Sequence, residues 1–422
     1  MAVYDWKEKP RVNLGATGCE PPLSELEEGF LDTIRRFSRD VVRPVGEKLD
    51  KMTPEQVMEE GSPYWDFRKE YLQLGLNPVS LGELSAEERG RLMPMVFEEI
   101  GWGDGGLAVT IGACQLPPGL SLAFEKPHLL ESFPVDLIGC WAITEPDHGS
   151  DMIDPGREVF HANGKYGRPN CVVKFEGDTF VINGQKSAWV SNGPIADVCV
   201  LYSACDSGDG PDPVRGCVVI VPMDAPGVSR GLSIDKLGQR ALPQGEVYFN
   251  DVRLPMDYLI AGPEHYSRAV YAVHAEANTQ MSAIFTGVAR AAFELAWQYA
   301  HDRKQGGVPI IRHQSVQQRL FHMYRKVEAS RALARRVALY NNVSPCPALQ
   351  SAMAAKVTAT QTAFEVASEA LQMFGGNGNT REYPIEKIFR DARASLIEDG
   401  CNEVLSIKGG CYLMDQDQFN GS

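Results

Sequence analysis

The feature that most constrains this chain is a double change of hydrophobic period along its 422 residues. From about Leu23 to Pro134 apolar residues recur every three or four positions, as in Leu26, Phe30, Ile34, Phe37 and Val41 and again in Leu92, Val96, Phe97 and Ile100, the spacing that gives a helix one apolar face. Between Ile138 and Pro255 the texture shifts to short β-rich runs set apart by Gly, Pro, Asn and Asp. VVKFEGDTFVINGQK reads as a hairpin turning at Glu176-Gly177-Asp178, and DVCVLY, GCVVIVPM and GEVYFNDVRLP as further strands. From about Met256 the helical period returns in three stripes: Met281, Ile284, Phe285, Val288, Ala292, Leu295; Leu320, Met323, Val327, Leu333, Val337; and Leu349, Met353, Val357, Phe364, Leu371, Phe374. Three long helices and a shorter C-terminal one bury such stripes as an antiparallel bundle. The expected fold is α+β in three domains: helical (1–137), β-barrel or sandwich (138–255) and a C-terminal four-helix bundle (256–422).

Charge and composition remove several function classes. With 41 Lys+Arg against 55 Asp+Glu the net charge is −14, and no clustered cationic face offers itself to nucleic acid. The partly basic RKVEASRALARR, Arg325 to Arg336, has the spacing of a solvated helix face. Ten cysteines contain no C-x-x-C pair and eight histidines no H-E-x-x-H, so no metal or redox dithiol is expected. No run reaches the roughly 18 apolar residues a membrane helix needs. The stretch MAVYDWKEKPRVNLGATGCEPP has neither a signal-peptide apolar core nor a transit-peptide composition; the expected compartment is the cytoplasm.

Four segments carry chemistry. WAITEPDHGSD, Trp141 to Asp151, begins as a strand and breaks into a loop at Glu145-Pro146, where Gly149 and Ser150 allow a ligand close to backbone N–H and hydroxyl groups; an ordinary polar loop has the same composition. In NGQKSAWVSNG, Trp189 and Ser191 stand two apart on one strand and share a face, which suits a planar cofactor. QMFGGNGNTREYPIEKIFRDAR ends a helix in Gly375-Gly376-x-Gly378. Bare glycine N–H groups suit anions, although a plain glycine C-cap looks alike. LIEDGCNEV gathers Glu398, Asp399 and Glu403 around Gly400, as a solvated acidic loop also would.

In this order and layout the segments resemble the acyl-CoA dehydrogenase family over nearly the whole chain. WAITEPDHGSD is similar to the family's W/Y-x-x-T-E-P-x-x-G-S-D loop and KLGQRALPQGEVYFNDVRLP to its closing β segment. YAHDRKQGGVPIIRHQSVQ is similar to its Y-A-x-x-R segment, and QMFGGNGNTREYPIEKIFRDAR to its Q-x-x-G-G-x-G…R-D-x-R segment. The resemblance implies an FAD enzyme that removes the α proton of an acyl-CoA and passes the β hydrogen to flavin N5 as hydride, leaving an α,β-unsaturated thioester. It implies Trp141, Ile143 and Thr144 along the flavin, Trp189 stacked by the isoalloxazine and Ser191 donating near N5. It implies Ser150 and Gly400 beside the CoA thioester, and Cys401 and Glu403 near FAD. Arg303 and Gln314 of one subunit, with Gln372, Gly375 and Gly376 of a neighbour, would hold the FAD diphosphate and adenosine, since Arg forks and glycine N–H groups both suit phosphate. A homo-oligomer follows, in this family usually a tetramer, with an electron-transfer flavoprotein as electron acceptor.

Three departures from the family pattern matter. One extra residue separates Lys186 from Trp189, so the Trp-x-Ser pair anchors that assignment; Gly306 replaces an aromatic; and Asp399 stands where the catalytic Glu usually stands. Asp is one methylene shorter, and a misplacement of about 1 Å costs on the order of a hundredfold in rate. Either the backbone or a bulkier, branched or alicyclic acyl group compensates, or the base lies elsewhere. Asp104, in the GWGDGGLA break, is the second candidate, against its reading as a helix N-cap; Glu276, beside Ala277, is the third. The competing functions are a flavin monooxygenase or oxidase on the same fold and a catalytically silent flavin-binding interaction protein.

Overall fold

The computed structural model describes residues 19–20, 22–154 and 167–414, so the segment read for targeting falls outside the described residues apart from 19, 20 and 22. Helix α1 (Glu25–Phe37) starts in a capping box: the Ser24 hydroxyl accepts from the Glu27 N–H while the Glu27 carboxylate accepts from the Ser24 N–H. Its buried stripe is Leu31, Ile34 and Phe37, whereas Leu26, expected inside, is 65% exposed. A π-helical turn, Ser38–Val42, then inserts a residue into the register, so Val42 and not Val41 is fully buried.

The next two long helices, α2 (Ala86–Gly103) and α3 (Gly105–Ala123), do not close a separate N-terminal domain. Helix α2 packs into the C-terminal helices α4 (Tyr266–Asp302) and α5 (Gln314–Val343). The approach is so close that a Cβ at Gly101 would lie 2.2 Å from the Ile284 carbonyl oxygen, and one at Gly287 would lie 2.0 Å from that of Glu98. One hydrophobic core runs from Leu31 through Ile100 to Ile284, Val366 and Ala392, so the two helical segments form one body where the sequence suggests two. At its centre Glu98 accepts from Arg331 (2.7 Å), Arg335 (3.1 Å) and Arg290 (3.2 Å). Arg331 and Arg335 are therefore buried, which corrects the reading of their segment as a wholly solvated face. A buried Arg persists only with such partners. Helix α3 is, among the described residues, the one helix long and apolar enough to cross a membrane; more than half of it is buried within the protein, as in a core helix.

Between the helices lies one eight-stranded sheet made of β1 (Gly139–Ala142), β2 (Cys171–Glu176), β3 (Thr179–Ser191), β4 (Val198–Asp206), β5 (Pro211–Pro222), β6 (Val228–Arg230), β7 (Gln244–Pro255) and β8 (Leu259–Ala261). The order is β6-β7-β3-β2-β4-β5-β8, with β1 parallel to β4. Because β8 pairs with β5, the β unit runs to Ala261, beyond the boundary drawn at Pro255. Strand β4 is buried on both faces by alternation: Cys199, Leu201 and Cys205 enter the sheet's interior core, while Val198, Val200 and Tyr202 meet the start of α4 at Ala269 and Val273. That second face fixes α4 against the sheet, and the functional cavities open beside this seam. The chain closes with α6 (Leu349–Phe374), α7 (Ile385–Ala394) and α8 (Asn402–Met414). Helix α6 stops at Gly375, whose φ of 58° is left-handed and suits glycine.

Candidate active site

Two cavities meet beneath the sheet. The first, about 830 Å³, lies between the loop after β1, the end of β3, residues 235–238 and the segment after α7. The second, about 630 Å³, lies between α2, α3 and α4. Val109, Trp141, Ser191 and Asp399 line both.

The first cavity gathers most of the residues expected around a flavin: Trp141, Ile143, Thr144, Ser150, Trp189, Ser191 and Gly400. An ion pair that sequence reading did not single out anchors its loop. Lys186 Nζ donates to Glu145 Oε1 (2.6 Å) and to the Ile143 carbonyl (3.0 Å), both side chains being buried. The Thr144 and Ser187 hydroxyls lie 2.6 Å apart. The stretch between Lys186 and Val190 bulges out, since Lys186 pairs with Val247 and Val190 with Gly245, so that β3 carries two residues more than β7 there. Trp189 is left 61% exposed as one wall of the cavity, and Gln244 Nε2 donates to Ser191 Oγ (3.2 Å).

Asp399 sits in a loop tied down on two sides. Its own φ is 49° and that of Gly400 is 88°, a conformation Asp tolerates better than most residues. From behind, buried Lys356 donates to the Gly400 carbonyl (2.9 Å) and Asn402 Oδ1 (2.9 Å); from the front, Ser150 Oγ accepts from the Cys401 N–H (3.1 Å). Burial raises the Asp399 carboxyl above its ordinary value, with the Lys356 charge opposing, and lowers Lys356 to about 8. Neighbouring Glu398, which lines only the first cavity, is pushed up to about 7 by burial despite the hydrogen bond it accepts from Gln239 Nε2 (3.0 Å). Cys401 and Glu403 do not line either cavity.

The other base candidates separate cleanly. Asp104 touches neither cavity. Its carboxylate accepts from the Leu107 N–H (2.8 Å) as the N-cap of α3 and from Lys387 Nζ (2.5 Å), a lysine shared with Asp391. The second-ranked candidate therefore stands away from both cavities, capping α3 and paired with Lys387. Glu276 lines the second cavity, and burial raises its carboxyl, with Arg89 opposing.

Arg303, Gln314, Gln372, Gly375 and Gly376 do not line the cavities; they lie exposed at one end of the helical bundle. There Tyr299, one turn before Arg303, stacks on Phe374 at 4.0 Å and its hydroxyl accepts from Asn377 Nδ2. These contacts hold the end of α4 against the glycine turn after α6 within one chain.

Three polar groups in the first cavity's wall lack partners, and of these only Trp141 was expected from the sequence, Arg393 and His274 not. Among the described residues, Arg393 Nη1, Trp141 Nε1 and both ring nitrogens of His274 are buried without a hydrogen-bond partner. Buried donors left open in this way cost stability and mark places where a ligand or water completes the bonding. A guanidinium with an unpaired nitrogen and a flat, exposed indole lining one cavity fit a cofactor that joins a planar ring to anionic groups.

Comparison with known proteins agrees with this arrangement. A family model described as the acyl-CoA dehydrogenase middle domain matches residues 140–252, and one described as its C-terminal domain matches residues 275–408. The mitochondrial short-chain specific acyl-CoA dehydrogenase of Mus musculus is 30% identical over 414 residues, covering 96% of this chain and 92% of that protein. Benzylmalonyl-CoA dehydrogenase of Aromatoleum aromaticum is 28% identical over 399 residues, covering 91% and 97%. The structure of butyryl-CoA dehydrogenase from Megasphaera elsdenii shares the fold, with a TM-score of 0.80 at 24% identity over 94% of this chain and all of that one. The chain belongs to the acyl-CoA dehydrogenase family, and is an FAD-dependent oxidoreductase.

Proposed function

We propose that the protein oxidises a bulky, branched or alicyclic acyl-CoA to its α,β-unsaturated thioester, with Asp399 as the α-proton base. One observation carries the reading: of the four residues that line both cavities, Asp399 is the only carboxylate. A base must reach the α carbon from one side while the electron acceptor lies on the other, and the junction of a cofactor cavity with an acyl cavity meets that demand. The shorter Asp side chain still reaches the junction, and the 630 Å³ beyond it has room for a bulky group.

Trp189, Thr144, Ser191 and Arg393 would hold the FAD ring end, and the exposed Arg303 and Gly375-Gly376 cluster would take the diphosphate of a neighbour's FAD. Bound there, FAD supplies a two-electron acceptor. The protein's own part is to seat the thioester between Ser150 and Gly400, to hold the α proton at Asp399 and to keep water out. Burial favours holding the α proton, because it raises the basicity of Asp399. The proposal includes a homotetramer, supported by exposed Trp297 and Phe321 on α4 and α5, an electron-transfer flavoprotein as acceptor, and a cytoplasmic location. The test is to mix the yellow holoenzyme anaerobically with a panel of acyl-CoAs and follow flavin bleaching. Bleaching that persists when air is admitted to the product complex supports the dehydrogenase; rapid reoxidation points to an oxidase or monooxygenase; no bleaching with any thioester refutes the reading.

A further inference from the structure

The second cavity is not the simple apolar slot that a plain alkyl chain would call for. Apolar residues such as Phe97, Leu116 and Met281 line part of it, but Glu276 of α4 and Arg89 of α2 line it too. No hydrogen bond or ion pair within the described residues engages the Glu276 carboxylate, and its side chain is exposed toward the cavity while protein surrounds it. Arg89 donates Nη1 to the Leu84 carbonyl (2.7 Å), which leaves its other N–H groups for the cavity. The charge of Arg89 acts on Glu276, yet among the described residues the two do not form a salt bridge. They stand as a separated acceptor and donor in one wall.

An alkyl chain filling this space would strip water from a carboxylate and a guanidinium and give nothing in return, which is unfavourable for both groups. A carboxylate on the acyl group would satisfy Arg89 and repel Glu276; an ammonium would do the reverse. A hydroxyl or carboxamide can donate to Glu276 and accept from Arg89 at once. We infer that the acyl group carries an uncharged donor–acceptor group, a hydroxyl or a carboxamide, beyond its β carbon, and that Glu276 and Arg89 receive it. This rests on the dehydrogenase reading above and names the substrate class for the same site.

The test uses the holoenzyme and anaerobic flavin reduction with four six-carbon thioesters: hexanoyl-CoA, 6-hydroxyhexanoyl-CoA, 6-aminohexanoyl-CoA and adipoyl-CoA, together with the mono-carboxamide of the last. The expected result is a kcat/KM for the hydroxyl or carboxamide compound at least about tenfold above hexanoyl-CoA, with the charged pair below both. Glu276→Gln and Arg89→Leu, checked for unchanged melting temperature, should each bring the ratio of hydroxyl to alkyl substrate close to one. Arg89→Lys, which keeps a donor, should preserve part of it. Equal or better turnover of hexanoyl-CoA overturns the inference, as does preference for the amine or the carboxylate. So does loss of flavin reduction with every substrate in Glu276→Gln, since Glu276 would then be the base. Failure of these thioesters together with branched and alicyclic acyl-CoAs in the unmodified enzyme instead removes the dehydrogenase reading itself.

Discussion

Replacing Asp399 by Asn removes one proton acceptor and changes little else. Asn tolerates the left-handed φ of 49° found at this position, and the loop keeps its anchors, because Lys356 binds the Gly400 carbonyl and Asn402 and Ser150 binds the Cys401 N–H, none of them through the Asp399 side chain. The cofactor wall at Trp189 is untouched. What is lost is general-base assistance, worth about a hundredfold or more, which corresponds to a barrier higher by about 2.7 kcal/mol. Anaerobic stopped-flow measurement of flavin absorbance should therefore show reduction slowed at least about a hundredfold, with acyl-CoA binding, read from the spectral shift of the oxidised flavin, nearly unchanged. A variant that is reduced within about threefold of the parent enzyme would refute the assignment and with it the importance of the cavity junction.

Asp104→Ala should leave the rate of flavin reduction in the folded fraction near normal. It should cost about 3–5 kcal/mol of stability in urea unfolding, because it deprives buried Lys387 of one carboxylate and α3 of its cap. Lys356→Met should slow reduction and move the acidic limb of its pH profile to higher pH, since the positive charge holding down the raised Asp399 carboxyl is gone; a slower rate with an unmoved profile would make Lys356 purely structural. Acid stability should fall in two windows. His274, neutral and lowered from 6.5 to about 3 by burial, binds its proton first in the unfolded chain, so stability is lost as pH drops from 6.5 toward 3, by on the order of 5 kcal/mol at the lower end. Glu98 is held down from 4.5 to about 2: burial opposes its charge, but the Arg331, Arg290 and Arg335 charges prevail. Its contribution is present above 4.5 and fades as pH falls toward 2, by roughly 3 kcal/mol. His274→Phe should abolish the first window in thermal melts taken across pH and leave the second.

The sequence by itself determined the helix, β, helix succession, because period is a local property: a short apolar run marks β4, alternation marks β7 and a spacing of three or four marks α4, α5 and α6 wherever they pack. It also determined the family and most of the first cavity's wall, since Trp189 and Ser191 share a face by strand geometry and the loop from Trp141 to Ser150 is contiguous in the chain. Where the stripe was read one residue out after α1, at Val41 in place of Val42, the cause was a π-turn that no pattern of apolar residues announces. Tertiary structure alone decided that α2 joins the C-terminal helices in one core and that Arg331 and Arg335 are buried on Glu98, a residue more than 230 positions away. It sets which carboxylates face a cavity in the same way. Asp104, Glu276 and Asp399 are chemically similar on paper, but a carboxylate acts as a base only where a cavity brings a substrate to it, and a cavity is the joint product of segments far apart in the chain. Lys387 closes off Asp104, the meeting of two cavities opens Asp399, and neither fact is written in the residues beside them.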